Sequence, residues 1–333
     1  MILLLTGVEN TRRVSGLVLW KHLTTPNPKR QTPNLPLYLW FMKVTGFTFI
    51  KNAVQFDYPV AEAIRSILPL CDEIIVAVGD STDDTRQLIS RMGSEKIRII
   101  DTVWDTSLRE GGAVLADETN KAFRAITGNP DWCIYIQGDE VLHEQYHDTV
   151  KEGMLRWKDH AEVDGLLFKY KHFYGSYDYV ATSSRWYRNE IRIVRNNPAI
   201  YSYRDAQGFR KEDDQKLKVK ALDAYMYHYG WVRPPKTMMD KTVHLGNFWD
   251  GGIVTDEFVK INSGDFDYSQ INALDKFTGI HPEIMHDRIL NMNWKFDYDL
   301  SYNNLPLKDR FKNFMEKWTG VRPFDYRNYI LQK

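Results

Sequence analysis

Two stretches decide the fold: CDEIIVAVGDSTDDT at residues 71–85 and DWCIYIQGDEVLHE at residues 131–144. Each contains a continuous apolar run, 73–78 (EIIVAV) and 132–136 (WCIYI), and a glycine with acidic residues follows each run. Apolar runs of this length, bounded by turn residues, are typical of strands that are buried on both faces. The two stretches therefore predict two parallel strands inside a sheet, with a polar turn after each.

Further strands and helices alternate around these two runs. The periodicity predicts strands over 44–51 and 97–100, and helices over 59–70, 81–92 and 113–126. Strands joined by crossover helices form a parallel sheet covered on both faces, which is an α/β fold. In such folds, ligands bind beyond the carboxyl ends of the strands. The turns after the strands are therefore where ligand-binding residues are expected.

The composition is that of an ordinary globular protein. The chain has 333 residues, of which 43% are hydrophobic and 26% charged, and its 44 Lys and Arg balance its 44 Asp and Glu. A net charge of zero gives no general attraction to polyanions, so nucleic acid is not an expected partner. The only two cysteines, Cys71 and Cys133, lie in apolar stretches and can form neither a disulfide framework nor a thiolate zinc site. A cytoplasmic location is expected.

Three segments are expected along the chain. Residues 1–41 form a proline-rich N-terminal extension that is a poor signal peptide, and Met42 is an alternative start. Residues 42–232 form the sheet domain, and residues 233–333 are predicted to be a helical region that packs on it. The amphipathic segment 307–318 (LKDRFKNFMEKW) is expected to use its aromatic face for core packing. Contact with the inner face of a membrane is the alternative for that face.

Both polar turns contain side chains suited to phosphate and a cation. The first turn is GDSTDD at 79–84, and the second is QGDE at 137–140. Adjacent carboxylates at the end of a buried strand must remain solvated or meet a cation, because burying them unpaired is costly. One carboxylate together with phosphate oxygens is a usual way to hold Mg²⁺ or Mn²⁺. A solvated acidic turn is the alternative interpretation of the second turn alone.

Taken together, these stretches resemble the inverting family 2 glycosyltransferases of the GT-A fold, which have a DEIIVVDDGSTDDT-like segment and then a strand ending in an Asp-any-Asp motif. The lead-in TFIKN, ending at Asn52, is similar to the family's first strand and loop. The resemblance covers about residues 43–245 and departs from the pattern at Val78 and at Gln137, where the family usually has Asp. It implies a Rossmann-like, mostly parallel sheet flanked by helices. It also implies sugar transfer from a nucleotide-sugar donor to a saccharide, glycoconjugate or lipid-linked acceptor.

The resemblance also implies roles for individual residues. Asp139 would bind the divalent cation, Mn²⁺ or Mg²⁺. His228 would be a second metal ligand, because in the lipopolysaccharide-core branch of the family a late His and a downstream Lys close the metal and diphosphate site. A hydrogen-bonded core histidine is the alternative for His228. The residues expected to bind the nucleotide-sugar are Asn52, Asp80, Gln137, Asp139 and Lys241.

The segment between the second turn and His228 is expected to face the acceptor. Residues 168–187 include eight aromatic residues, whose rings can stack on sugars, although packing within a sheet is the alternative. Asp205 is the expected general base, since inversion requires a group that takes the proton of the acceptor hydroxyl. The alternative is a turn-forming Asp. The residues expected on the acceptor side are Glu140, Trp186, Tyr187 and Gln207.

Two other functions remain open. A catalytically inactive nucleotide- or carbohydrate-binding protein of the same fold is suggested by Val78 and Gln137, which stand where the family has acids. A nucleotidyltransferase of similar fold would usually have a glycine-rich basic loop after the first strand, and none follows Asn52.

Overall fold

A computed structural model describes residues 42–183, 186–246, 264–269, 271, 273–302, 305–319, 323 and 326–332. The N-terminal extension expected over residues 1–41 lies outside this part. The strands are β1 Val44–Ile50, β2 Glu73–Val78, β3 Ile97–Asp101, β4 Trp132–Tyr135, β5 Glu140–Leu142, β6 Gly165–Tyr174, β7 Ser176–Ala181, β8 Asn189–Val194, β9 Ile200–Tyr203, β10 Gly208–Lys211, β11 Gln215–Lys216, β12 Lys218–Trp231, β13 Leu274–Lys276 and β14 Ile330–Leu331. The α-helices are α1 Val60–Ile67, α2 Thr85–Ser90, α3 Ala113–Arg124, α4 His147–Trp157, α5 Pro235–Gly246, α6 His286–Leu290 and α7 Leu307–Thr319.

One large sheet organises the molecule. Its strands follow the order β13-β7-β6-β8-β4-β1-β2-β3, and β12 pairs with β6 and also with β5 and β14. The four strands β4, β1, β2 and β3 are mutually parallel, whereas β8 runs antiparallel to both β4 and β6. The α/β class expected from the sequence is therefore confirmed, with the parallel strands forming one half of a mixed sheet.

The elements predicted from the apolar runs are present with small changes at their ends. The helix expected over 81–92 begins only at Thr85, because the preceding turn is tied to other groups. The Asp83 carboxylate accepts hydrogen bonds from the backbone N–H groups of Gln55 and Thr85, at 2.7 and 3.0 Å. This bonding keeps the turn in a non-helical shape above the sheet edge.

The sequence predicted a helical C-terminal region over residues 233–333, but the structure shows strands there as well. It contains α5, α6 and α7, but β13 pairs with β7 and β14 pairs with β12, so this region also extends the sheet. The described residues from 42 onward belong to one compact unit. None of the helices in the described part of the chain is long and apolar enough to cross a bilayer.

A small second sheet places Asp205 at a hairpin turn. Strands β9 and β10 are antiparallel, and β11 extends them. In the turn between β9 and β10, Arg204 and Ala206 have positive φ values of 54° and 61°, a backbone conformation that residues other than glycine seldom adopt. Asp205 lies between them, so the turn that holds this residue is strongly specified by its surroundings.

Candidate active site

An open cleft with a cavity volume of about 190 Å³ lies at the carboxyl ends of the parallel strands. The loops after β1 and β4, the β9–β10 turn, the end of β12 and helix α5 all contribute to its lining. The cleft brings together five of the residues expected from the sequence, which are Gln137, Asp139, Asp205, His228 and Lys241.

Asp139 lines this cleft beside basic groups. Its backbone carbonyl accepts a hydrogen bond from the N–H of Tyr229 at 2.8 Å, which fixes β12 beside it. Its Oδ1 is 3.8 Å from Nε2 of His228, and its Oδ2 is 3.5 Å from Nζ of Lys241. Burial raises the pKa of the Asp139 carboxyl, but its basic neighbours, of which Lys241 acts most strongly, outweigh burial and lower it. The carboxylate is therefore ionised and available as a ligand.

A pair of histidines fixes the orientation of the His228 ring. His172 Nε2 is 2.7 Å from the backbone carbonyl of Tyr187, which can only accept, so this nitrogen bears the hydrogen. Burial lowers the pKa values of both imidazoles, that of His172 well below its ordinary value, so both rings are neutral. Nδ1 of His172 then accepts from Nδ1 of His228 at 3.0 Å. The Nε2 lone pair of His228 is consequently free to face Asp139.

Gly230 keeps the space between the Asp139 carboxylate and His228 Nε2 open. A Cβ atom at this position would lie 2.6 Å from His228 Nε2 and 2.9 Å from Asp139 Oδ2. One carboxylate oxygen and one imidazole lone pair on either side of an open gap fit a divalent cation. No group of three His, Cys, Asp or Glu side chains able to hold a metal occurs in the described ranges. Phosphate oxygens and water would therefore have to complete the coordination.

Arg233 adds a buried positive charge that sequence reasoning did not assign to the site. Its Nη1 donates to the carbonyl of Gly230 at 2.7 Å, and its guanidinium lies 4.7 Å from the ring centre of Tyr58. Lys241 Nζ donates to the same carbonyl at 2.9 Å. Burial and the nearby Arg233 lower the pKa of Lys241 to about 7. Two basic groups thus lie beside the single carboxylate of Asp139, which suits an anionic ligand.

Gln137 holds the turn that presents Asp205. Its Nε2 donates to the carbonyl of Ala206 at 3.2 Å, and Arg192 Nη1 donates to the carbonyl of Gln207 at 2.9 Å. Burial raises the pKa of Asp205 above its ordinary value. The Asp205 carboxylate is thus fixed at the cleft wall with a basicity that favours proton acceptance.

The structure corrects the expectation that Glu140 faces an acceptor. The Glu140 carboxylate is fully buried and makes two hydrogen bonds of 2.8 Å with Arg192, which is fully buried as well. The hydroxyl of Tyr170 donates to the same carboxylate at 2.7 Å. The adjacent acid of the second turn therefore meets an arginine inside the sheet, where no acceptor can reach it.

Asn52 and Asp80 do not border the cleft, but they shape the loops next to it. The Asn52 side-chain oxygen accepts from the N–H of Thr82 at 2.8 Å, which ties the loop after β1 to the loop after β2. Asp80 pairs with Lys51 at 2.8 Å and accepts from the N–H of Trp104 at 3.1 Å. Because Lys51 and Trp104 line the cleft, Asp80 acts on it through them.

Trp186 and Tyr187 lie behind the histidines and do not border the cleft. Their ring centres are 5.1 and 4.4 Å from that of His172. These contacts position the His172 ring, whose role sequence reasoning missed. The only sequence feature that pointed to His172 was its position among the aromatic residues 168–187. Its importance depends on its pairing with His228 across β6 and β12, which the structure shows.

The sequence is similar to curated proteins that are named as glycosyltransferases. No protein-family model matches the chain. An uncharacterised glycosyltransferase of Rickettsia typhi is 24% identical over 212 residues, which are 62% of this chain and 65% of that protein. An uncharacterised glycosyltransferase of Rickettsia prowazekii is 23% identical over 215 residues, with the same coverage. The chain thus aligns with less than two thirds of the length of these curated relatives.

Two solved structures are also similar to this chain, with low TM-scores. S. aureus TarS in complex with UDP is 16% identical, with a TM-score of 0.36, over 65% of this chain and 68% of that chain. The mycobacterial glucosyl-3-phosphoglycerate synthase in complex with Mn²⁺, UDP and glucosyl-3-phosphoglycerate is 19% identical, with a TM-score of 0.28, over 40% and 45% of the two chains. Because both scores lie below 0.5, the fold assignment rests on the strand order described above.

Proposed function

We propose that this protein is a glycosyltransferase that moves a sugar from a nucleotide-sugar donor to an acceptor hydroxyl with inversion, assisted by Mn²⁺ or Mg²⁺. The observation that carries the proposal is the arrangement of Asp139, His228 and Lys241 around one cleft, with Asp205 on the wall of the same cleft. The names of the curated relatives support glycosyl transfer, and the resemblance of the two turns to family 2 supports inversion and a metal.

The donor diphosphate would lie over Asp139 and His228. Oδ1 of Asp139 and Nε2 of His228 would hold the cation, which when bound neutralises charge on the diphosphate leaving group. Lys241 and Arg233 place further positive charge beside the same position. Lys51, oriented by Asp80, adds a charge at the cleft wall. Together these groups would bind the leaving group.

Asp205 would accept the proton of the acceptor hydroxyl. Inversion requires the hydroxyl oxygen to attack the anomeric carbon on the side opposite the departing diphosphate, and the proton must leave the oxygen during that attack. The raised pKa of Asp205 brings the carboxylate closer to neutral pH and makes it a stronger base. A saccharide, or a saccharide linked to a lipid and presented in the cytoplasm, is the proposed acceptor.

The test begins with the donor and then isolates the base. Mn²⁺-dependent hydrolysis across a panel of nucleotide sugars identifies a donor. Asp205→Asn should then lower turnover by roughly 10²- to 10⁴-fold with donor affinity nearly unchanged, because the amide keeps the shape but cannot accept the proton. Asp213→Asn is the matched control, since Asp213 is exposed in the next turn of the same small sheet. Equal turnover in wild type and Asp205→Asn would refute the assignment of the base.

A binding protein without catalysis is the second candidate. It is favoured by Gln137, which replaces the first acid of the metal motif and bonds to the hairpin instead. Mn²⁺-dependent donor binding without turnover across a broad acceptor panel would support this function over the first.

A further inference from the structure

Helix α7 has its polar and apolar faces reversed relative to an ordinary surface helix. Its large apolar side chains point outward, with exposed fractions of 83% for Leu307, 54% for Phe311, 56% for Phe314 and 80% for Trp318. In contrast, Asp309 is 9% exposed and buried against the protein. A surface helix normally buries its apolar stripe and exposes its charges. The reversal indicates that the outward stripe meets an apolar phase.

The charges of this helix are divided between its two faces, with Lys312, at 7% exposed, on the inner face. Lys308 and Arg310 are exposed, and at 100° per residue they lie on opposite sides of the apolar stripe. The two acids lie on the inner face: Asp309 is buried, and Glu316 Oε2 is 3.5 Å from Nη2 of Arg188. The outward surface therefore combines aromatic side chains with flanking cations and has its acids turned away.

We infer that α7 is an interfacial helix that binds the surface of a bilayer containing anionic lipids. Trp, Phe and Leu on one face with Lys and Arg beside them are the features of helices that lie in the membrane plane, where the aromatic side chains enter the acyl boundary and the cations meet the headgroups. Trp318 and Phe314, with ring centres 6.0 Å apart, form the aromatic part of this face. This inference does not depend on the proposed chemistry.

A second copy of the chain fits this surface less well than a lipid. In a symmetric dimer through α7, the exposed Lys308 of one copy would approach the Lys308 of the other, while Asp309 stays buried in each copy. A bilayer with anionic headgroups supplies the opposite charge and an apolar interior together.

The experiment uses the full chain and two kinds of vesicle, one of phosphatidylcholine alone and one with about 30 mol% phosphatidylglycerol, separated from free protein by sedimentation. Wild type should sediment with the anionic vesicles, less so with neutral vesicles and less at high salt. Phe314→Ser combined with Trp318→Ser should weaken binding by about tenfold or more. Lys308→Gln should weaken it about fivefold. Leu290→Ser is the control, because Leu290 is 69% exposed on α6, outside the stripe.

Each outcome decides the inference. Loss of sedimentation in the double variant, with an unchanged melting temperature and unchanged binding in Leu290→Ser, supports it. Absence of wild-type binding to both vesicles overturns it, as does equal binding by wild type and the double variant. Light scattering that shows a dimer, lost in the double variant, would overturn it in favour of a second copy. Since nucleotide-sugar hydrolysis is measured separately, failure here would leave the proposed transferase chemistry intact.

Discussion

A matched pair of substitutions at His172 tests how the candidate metal ligand is oriented. The ring has two separate contacts: Nδ1 accepts from Nδ1 of His228, and Nε2 donates to the carbonyl of Tyr187. An asparagine keeps an acceptor oxygen near the position of Nδ1, whereas a glutamine reaches the position of Nε2 and leaves no acceptor for His228. The two variants therefore remove one contact each from the same site.

The size of the effect follows from the burial of the histidine pair. To bind a cation through Nε2, His228 must keep its proton on Nδ1, and in His172→Gln this buried N–H has no acceptor. Leaving a buried donor unsatisfied costs about 1–3 kcal/mol, which corresponds to roughly 5- to 150-fold in the dissociation constant of Mn²⁺. In His172→Asn the acceptor remains, so the dissociation constant should change by less than about threefold.

Mn²⁺ binding is measured directly by electron paramagnetic resonance, in which the signal of the free ion falls as the protein binds it. Melting temperatures of the three proteins establish that they are folded. Equal Mn²⁺ affinity in all three would refute the role of His172. Equal losses in both variants would also refute it, because they would indicate lost aromatic packing rather than a lost acceptor. Absence of Mn²⁺ binding by wild type would refute the metal site itself.

Two further predictions concern the site and the stability of the sheet. Gly230→Ala should abolish Mn²⁺ binding and lower the melting temperature, since the added Cβ would lie 2.6 Å from Nε2 of the buried His228 and force its ring to move; retained binding would contradict the open gap as the cation position. Burial raises the pKa of Glu190 from 4.5 to about 8, so the folded state binds the Glu190 proton more tightly than the unfolded state does. The stabilisation of the folded state by this proton is complete below about pH 4.5 and is lost as the pH rises through about 8. In urea unfolding from pH 5 to 8.5, the unfolding free energy of wild type should fall with rising pH by at most about 1.4 kcal/mol per pH unit. The fall should be smaller in Glu190→Gln. Equal pH dependence of the unfolding free energy in both proteins would refute the role of Glu190.

The parallel half of the sheet could be predicted from the sequence because its information is local. The apolar runs that became β2 and β4 are continuous, and each ends in a turn whose glycine and acids mark the strand end. Crossover connections then require neighbouring strands to run parallel. Asp139 was predicted for the same reason, since its position depends only on the end of β4 and on the family motif.

The residues that sequence reasoning missed depend on pairing between distant strands. His172 meets His228 because β6 and β12 are parallel in a register that aligns these two residues, 56 positions apart. Arg192 meets Glu140 because β8 packs beside β4 and β6. In the sequence, Arg192 is one alternating residue of an ordinary strand, and nothing near it specifies a buried partner. Such long-range register is set by the packing of the whole sheet.

Gln137 contacts the hairpin that carries the proposed base Asp205 and does not alter the proposed cation position. Gln137 Nε2 donates to the carbonyl of Ala206, beside Asp205 in a turn with two positive φ values. A carboxylate at residue 137 could not donate this hydrogen bond and would face a carbonyl oxygen. The amide thus replaces a potential second acid by a contact that orders the hairpin carrying Asp205. The open gap between Asp139 and His228 does not require an acid at residue 137, so an amide at this position is compatible with both cation binding and proton acceptance.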